Sequence, residues 1–152
     1  MIYINGTVLN TPEIVEGRRQ IRDIALLDAA VARPAQSAFG EDAYPTLAQK
    51  AAALLHSVAR NHPFADGNKR TAAVGAVFLL RVNGQAVCWV QEEALTMILR
   101  TAEGNCGAEE LAAWLPLEAV APALTPDADQ DRRRIAEIIA AQKWLLDALE
   151  RQ

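Results

Sequence analysis

Asn61-His62-Pro63-Phe64-Ala65-Asp66-Gly67-Asn68-Lys69-Arg70-Thr71 is a polar stretch set between two apolar, Ala-rich segments. Upstream, Leu47, Ala51, Leu54, Leu55 and Val58 recur at helical spacing through Leu47 to Arg60. Downstream, Ala72 to Val82 is apolar almost throughout. Both segments read as buried helices, and the stretch between them as the loop that joins them. Pro63 disfavours the α conformation at His62, so the first helix ends near Asn61. Gly67 lets the chain turn, and the second helix starts just after it. Asn68, Lys69 and Arg70 then occupy a first turn, where free N–H groups and the positive end of the helix dipole repel cations unless an anion sits among them. A helix N-terminus with Lys and Arg added is a phosphate cradle. His62 supplies a base and Asp66 a carboxylate a few residues away, and the combination points to phosphate-transfer chemistry. The plainer alternative makes Lys69 and Arg70 ion-pair partners of distant acidic residues and His62 a packing residue.

Working outward, Met1 to Leu9 alternates weakly, with Ile2, Ile4 and Val8 against Tyr3, Asn5 and Thr7. It reads as a short strand or extended arm with Asn5-Gly6 as a turn. Thr11-Pro12-Glu13 reads as a helix start, with Thr at the cap and Pro at the first helical position. Asp23 to Ala32 reads as a helix whose apolar face is Ile24, Leu27, Ala30 and Val31, stopped by Arg33-Pro34. Ala35 to Tyr44 has no period and, on its residues alone, is a surface loop. Beyond the central helices, Asn83-Gly84 ends the second one and Gln85 to Val90 is extended. Gln91 to Ala102 is a helix with Leu95, Ile98 and Leu99 inward. Gly104 to Gly107 is a turn, and Ala108 to Leu115 a short helix. Pro116 to Pro126 holds three prolines and reads as a linker. Thr125-Pro126-Asp127 then opens a last helix that runs to about Glu150. Its stripe of Ile135, Ile138, Ile139, Leu145, Leu146 and Leu149, interrupted by Gln142, has to be buried against the body or against another chain. Arg132-Arg133-Arg134 is most simply a solvated charge run beside that stripe, with a nucleic-acid contact as the alternative that an acidic chain disfavours.

The 152 residues suffice for one domain with a substantial core. Hydrophobic residues make up 51% and aromatics 5%, so the core is one of Ala, Leu and Val on helices. A net charge of −4 argues against broad nucleic-acid binding, though not against a local anion site. Cys88 and Cys106 form no CxxC pair and have no nearby His, which reads as two reduced, partly buried thiols of a cytosolic protein rather than a zinc site. No signal-peptide pattern opens the chain, and the longest apolar run, Ala72 to Leu80, is too short to span a bilayer. His56 lies six residues before His62, which is not a metal-ligand spacing, and is read as a packed or capping residue. Gly67-Asn68-Lys69 does not satisfy the Walker pattern.

The run His62 to Thr71 resembles the signature of the Fic/Doc superfamily and is most similar to its death-on-curing (Doc) branch. Arg22-Asp23, Leu26 to Ala30, Arg33-Pro34, Ala43-Tyr44-Pro45, Lys50 to Leu55, Phe78-Leu79-Leu80 and Asn83-Gly84 extend the resemblance over roughly residues 1–118. It implies an all-α Fic/Doc helical bundle with a short flap hairpin within Ala35 to Tyr44, followed by an extra C-terminal helix. The domain then spans residues 1–118, a Pro-rich linker 119–126, and the helix 127–152 packs on the domain or on another chain. The resemblance also assigns roles. His62 is the catalytic base, and Asp66 the catalytic carboxylate that holds Mg²⁺. Gly67, Asn68, Lys69 and Arg70 bind the phosphates of ATP, with Arg70 also catalytic. Phe64, apolar within a polar loop, is the loop's anchor in the core.

The function implied is that of a cytoplasmic toxin of a toxin–antitoxin pair, moving phosphate from ATP to a Ser or Thr hydroxyl of a cellular protein. The branch's known target is elongation factor Tu, and a small Phd-type antitoxin restrains it. No membrane and no direct nucleic-acid contact is expected. AMP transfer is the rival within the class, and a catalytically silent partner-binding protein the rival outside it. AMP-transferring relatives have Gly where this chain has Lys69 and a second Arg where it has Ala73, so phosphate transfer is favoured. Glu16-Gly17 approximates the family's Ser/Thr…Glu-Gly inhibitory motif with a spacing from Thr11 one residue too long. Ala73 also removes the Arg such a Glu would pair with, so self-inhibition is not expected.

Overall fold

A computed structural model of the chain describes residues 1–11 and 20–152. The expected helix start at Thr11-Pro12-Glu13 and the Glu16-Gly17 pair lie largely outside these residues. At the centre, α3 (Leu47–Asn61) and α4 (Asn68–Val82) form an antiparallel pair joined by the polar loop. A capping box starts α3: the Thr46 hydroxyl accepts from the Gln49 N–H at 3.2 Å and the Gln49 side chain accepts from the Thr46 N–H at 2.9 Å. Ala51, Ala52, Leu55, Val58 and Ala59 of α3 and Ala72, Val74 and Ala76 of α4 are buried to 1% exposure or less. The alanines let two backbones approach closely, and the larger residues fill the remaining space.

The first nine residues overturn the strand expected of them. Ile2–Val8 is a helix, α1. A strand would send Ile4 and Asn5 to opposite faces, yet both are buried, at 3% and 0%. Only helical spacing places both against α4. The Asn5 amide donates to the Asp66 carbonyl at 2.9 Å and to the Thr71 hydroxyl at 3.0 Å. Helix α2 (Ile24–Ala32) is capped by Asp23, whose side chain accepts from the N–H groups of Ala25 and Leu26. Its expected apolar face is half wrong: Leu27 and Ala30 are buried, but Ile24 and Val31 are 56% and 52% exposed. Helix α2 packs on α3 along one narrow line, which leaves its flanks open.

A single 3₁₀ turn, Arg33–Ala35, follows, and then a hairpin of β1 (Ser37–Ala38) and β2 (Glu41–Asp42). Both turn residues have positive φ, 54° at Phe39 and 83° at Gly40, as a type I′ turn requires. The hairpin's root is tied to α3. Lys50 bridges Asp42 and the Pro34 carbonyl, and Arg33 reaches the Tyr44 hydroxyl, the Ser57 hydroxyl and His56 Nδ1 at 2.7, 2.8 and 3.0 Å. His56 is thus a packed residue whose pKa is lowered by burial and by Arg33 and Arg60, so that a neutral ring accepts from the guanidinium.

Residues after α4 wrap its far end. β3 (Gln85–Val87) pairs antiparallel with β4 (Leu117–Ala119), in the register Ala86 to Glu118. This corrects the reading of Pro116 to Pro126 as a plain linker. Its backbone is also held by Val120 N–H to Gly84 O and Ala123 N–H to Val82 O, both at 3.0 Å. Between the strands, α5 (Gln91–Glu103) and α6 (Ala108–Trp114) cover α3. Cys106 is buried and Cys88 exposed, and neither is paired.

The last segment is two helices rather than one, α7 (Ala128–Ala141) and α8 (Lys143–Glu150). The chain breaks at Gln142 because its neighbours satisfy the backbone groups that the break exposes. Gln91 donates to the Ala141 carbonyl at 3.3 Å and accepts from the Leu145 N–H at 3.0 Å, while Trp89 donates to the Gln142 side chain at 3.0 Å. Helix α7 packs on α4, and α8 on α5 and α4, burying Ile138, Leu145 and Leu149 to 2% exposure or less. Among the described residues no helix is long and apolar enough to cross a membrane. Leu145→Ala removes a fully buried side chain and should lower unfolding free energy by about 2–5 kcal/mol in urea denaturation. A loss below about 1 kcal/mol would mean that α8 is not part of the cooperative core.

Candidate active site

The polar loop is held from three sides. His62 leaves α3 in the left-handed region, φ 51° and ψ 58°, a conformation that costs a non-glycine residue about 1–2 kcal/mol. The segment before α2 holds it there. The Arg22 and Asp23 N–H groups both donate to the Pro63 carbonyl, at 2.8 and 3.1 Å, and Ala65 N–H donates to Gln20 O at 2.8 Å. Arg22 also donates to the Asn61 carbonyl at 2.9 Å. Phe64 lies in the core at 1% exposure, in the anchoring position expected of it. Asn68 then clamps it with both ends of its amide: Phe64 N–H donates to Asn68 Oδ1, and Asn68 Nδ2 donates to Phe64 O, each at 2.9 Å.

That clamp changes what Asn68 can do. Its side chain, in a residue 7% exposed, is committed to the loop backbone and not turned toward a ligand. What Asn68 offers an anion is its main-chain N–H. Gly67, at φ 73°, is the N-cap of α4, and no described side chain caps that end. A methyl group added at Gly67 would meet Leu9 at 3.1 Å and Asn5 at 3.2 Å, so both its left-handed φ and its close packing call for glycine. Thr71 is an ordinary helix residue, buried and bonded to Asn5.

His62, Asp66, Gly67, Asn68, Lys69 and Arg70 line one cavity of about 190 Å³. The structure therefore brings together the whole set predicted from sequence, Phe64 excepted because it lies beneath. Asp66 stands at the mouth, its side chain 77% exposed, with Oδ2 3.7 Å from the Arg70 guanidinium and Oδ1 accepting from Gly67 N–H at 2.6 Å. Among the described residues no three His, Cys, Asp or Glu side chains cluster for a metal. One accessible carboxylate suits Mg²⁺, which is commonly held by one or two carboxylates together with substrate phosphates and water. The pKa of His62 is lowered by burial first, then by Arg22, Lys69 and Arg60. Its ring is therefore neutral at neutral pH, the form in which imidazole accepts a proton. Ala73 is 1% exposed in the core and contributes no second cation.

Sequence reasoning missed the far wall. Leu149 and Glu150 of α8 complete the cavity. Glu150 Oε1 lies 2.8 Å from Arg70 NH1, and Lys69 Nζ donates to the Gln152 carbonyl at 3.3 Å. The apolar stripe of the tail signalled that it would be buried, but nothing local pairs Glu150 with a residue 80 positions earlier.

A sequence model of the Fic/DOC family matches residues 2–80. The chain belongs to the Fic/DOC family. Within it the chain falls on the Doc side. It is 46% identical over 101 residues to a Toxin Doc of Mycolicibacterium smegmatis, a match that spans 65% of this chain and 78% of that protein. No solved structure matches the chain. Helix α3, the loop and α4 as far as Leu80 lie within the family match of this Fic/DOC chain, whereas α7 and α8 lie outside it.

Two outcomes follow for this site. In an NMR titration the His62 ring should give a midpoint below 6.5. Lys69→Ala should move it upward, because a nearby positive charge that opposes protonation is removed. An unmoved midpoint would place Lys69 too far away to act on the ring. Glu150→Gln should raise the affinity for pyrophosphate, measured by calorimetry, roughly three- to tenfold, the equivalent of a competing contact worth ~0.7–1.4 kcal/mol. Equal affinity would mean that the Arg70–Glu150 pair does not contest the anion site.

Proposed function

We propose that this chain is a Doc-like toxin that transfers the γ-phosphate of ATP to a Ser or Thr hydroxyl of a cellular protein. The observation that carries this is the placement of a neutral His62 ring in one small cavity with an uncapped helix N-terminus and two cations, Lys69 and Arg70. His62 takes the hydroxyl proton as the oxygen bonds to the γ-phosphorus. The bond from that phosphorus to the β,γ-bridging oxygen breaks, and ADP leaves with the electron pair. The N–H groups at the start of α4, with Lys69 and Arg70, face the charge that builds on the phosphoryl oxygens. Asp66 would hold Mg²⁺, which when bound neutralises part of the triphosphate charge. The N–H clamp on Pro63 and the Asn68 clamp on Phe64 keep His62 and the helix start in fixed relation, which is where proximity contributes most.

Phosphate rather than AMP transfer is supported by Lys69, which fills and charges the loop where AMP-transferring relatives have Gly. It is supported also by buried Ala73, which leaves β- and γ-phosphates of a conventionally oriented ATP without a second Arg. The intact His62, Asp66 and Arg70 favour an enzyme over a silent binding protein. The likeness to a protein named Toxin Doc supports a toxin; the resemblance of His62 to Thr71 to the Doc branch adds the cytoplasm, a Phd-type antitoxin as its restraint and elongation factor Tu as its target to this proposal.

Isotope placement tests this. Elongation factor Tu, or a cell lysate, incubated with the protein, Mg²⁺ and γ-labelled ATP should become labelled, while α-labelled ATP should leave no label. The reverse pattern would make the protein an adenylyltransferase, and label from neither would remove the enzymatic reading. His62→Ala should reduce transfer by about 10²–10⁴-fold, the usual worth of a general base, with unchanged circular dichroism.

A further inference from the structure

Two cavities meet at one guanidinium. The smaller is the loop cavity of about 190 Å³; the larger, about 490 Å³, lies between the C-terminal end of α1 and the corner of α7 and α8. Arg70 and Glu150 line both. We propose that the larger cavity receives the nucleoside part of the nucleotide whose phosphates occupy the loop. This rests on the nucleotide reading of the loop and extends it to residues of the C-terminal helices.

The two cavities divide their chemistry as a nucleoside triphosphate does. The smaller is walled by His62, Asp66, Lys69, Arg70 and main-chain N–H groups, which suits a polyanion. Val8, Leu9, Ile139 and Leu146 give the larger one apolar walls, and Asn10, Lys143 and Asp147 give it polar groups. A mostly apolar pocket with a few polar groups, within the range of about 300–1,000 Å³, is typical of small-molecule sites. The loop cavity alone falls below that range and cannot take a base and sugar as well as phosphates. On α7, Ala136 and Ala140 stand one turn apart beside Ile139, and both are exposed. Two short side chains at that spacing leave a flat strip that larger ones would fill, which suits a planar base.

The boundary between the cavities is the Arg70–Glu150 pair. The Glu150 side chain is 61% exposed, whereas that of Arg70 is 10% exposed. A phosphate arriving at Arg70 therefore displaces a carboxylate that can turn into water, while the guanidinium stays in place with the Val8 carbonyl 3.4 Å from NH1. In this arrangement the nucleotide's phosphates lie on the α4 side of Arg70 and its base on the α1–α7 side.

The test compares ATP with inorganic tripolyphosphate by calorimetry in Mg²⁺, for the wild type and Glu150→Gln, each with and without Ala140→Trp. Ala140→Trp should weaken ATP binding at least tenfold and leave tripolyphosphate within twofold. Ala136→Phe serves as the second variant if the first alters the melting temperature. ATP binding indifferent to both substitutions overturns the proposal while leaving the loop as a nucleotide site. So does tripolyphosphate binding as tight as ATP, since the nucleoside then adds nothing. Binding of neither ligand to the wild type or to Glu150→Gln overturns this proposal and the nucleotide reading together. An ATP-independent peptide from a partner protein that is lost on Ala140→Trp, with ATP binding intact, would assign the cavity to a protein instead.

Discussion

The reciprocal pair between the Asn68 amide and the Phe64 backbone is the contact on which the site depends. A polar loop between two buried helices has no reason of its own to adopt one conformation. Fixing each of its residues costs about 1–2 kcal/mol of backbone entropy. The loop is ordered because Phe64 is sunk in the core and because three bonds from residues 20–23 hold the peptides on either side of it. Each bond contributes about 0.5–1.5 kcal/mol, and together with the aromatic anchor they offset the strained His62. The proposed chemistry then falls to the residues the clamp leaves free.

Arg70 follows a second constraint. A guanidinium buried this far needs a counter-charge. Asp66 at 3.7 Å is too distant and too exposed to serve alone. Glu150 fills that need at 2.8 Å, and under the proposed reading a phosphate group would take its place. The C-terminal helices are thus more than a cover for the apolar face of α4. They complete both the wall and the charge balance of the site.

The site was legible in the sequence because it is local. Eleven consecutive residues hold His62, Asp66, the turn glycine and the two cations that line the candidate cavity, and Pro63 and Gly67 mark where each helix must stop and start. The central helices were legible for the same reason, their apolar periods being long and their caps plain. What was not legible depends on distant partners. Asn5 looks like a turn residue until Asp66 and Thr71 are beside it, which is why α1 read as a strand. Gln142 reads as a flaw in one long stripe until Gln91 and Trp89 are seen to hold a corner open. The strand Leu117–Ala119 hides among prolines because its pairing partner lies some thirty residues earlier. Asn68 reads as a phosphate-binding residue in the motif, which does not say which way a side chain faces, and its clamp on Phe64 emerges only in the fold.

The distance along the chain between Arg70 and Glu150 has a consequence in time. The two are separated by 80 positions. At a synthesis rate of about 5–20 residues per second, the loop precedes its C-terminal counter-charge by roughly 4–16 s. Over that interval the emerging chain carries Arg70 without Glu150, its nearer carboxylate partner among the described residues. The wall and the carboxylate that α8 gives the loop therefore become available only after the loop itself has been made.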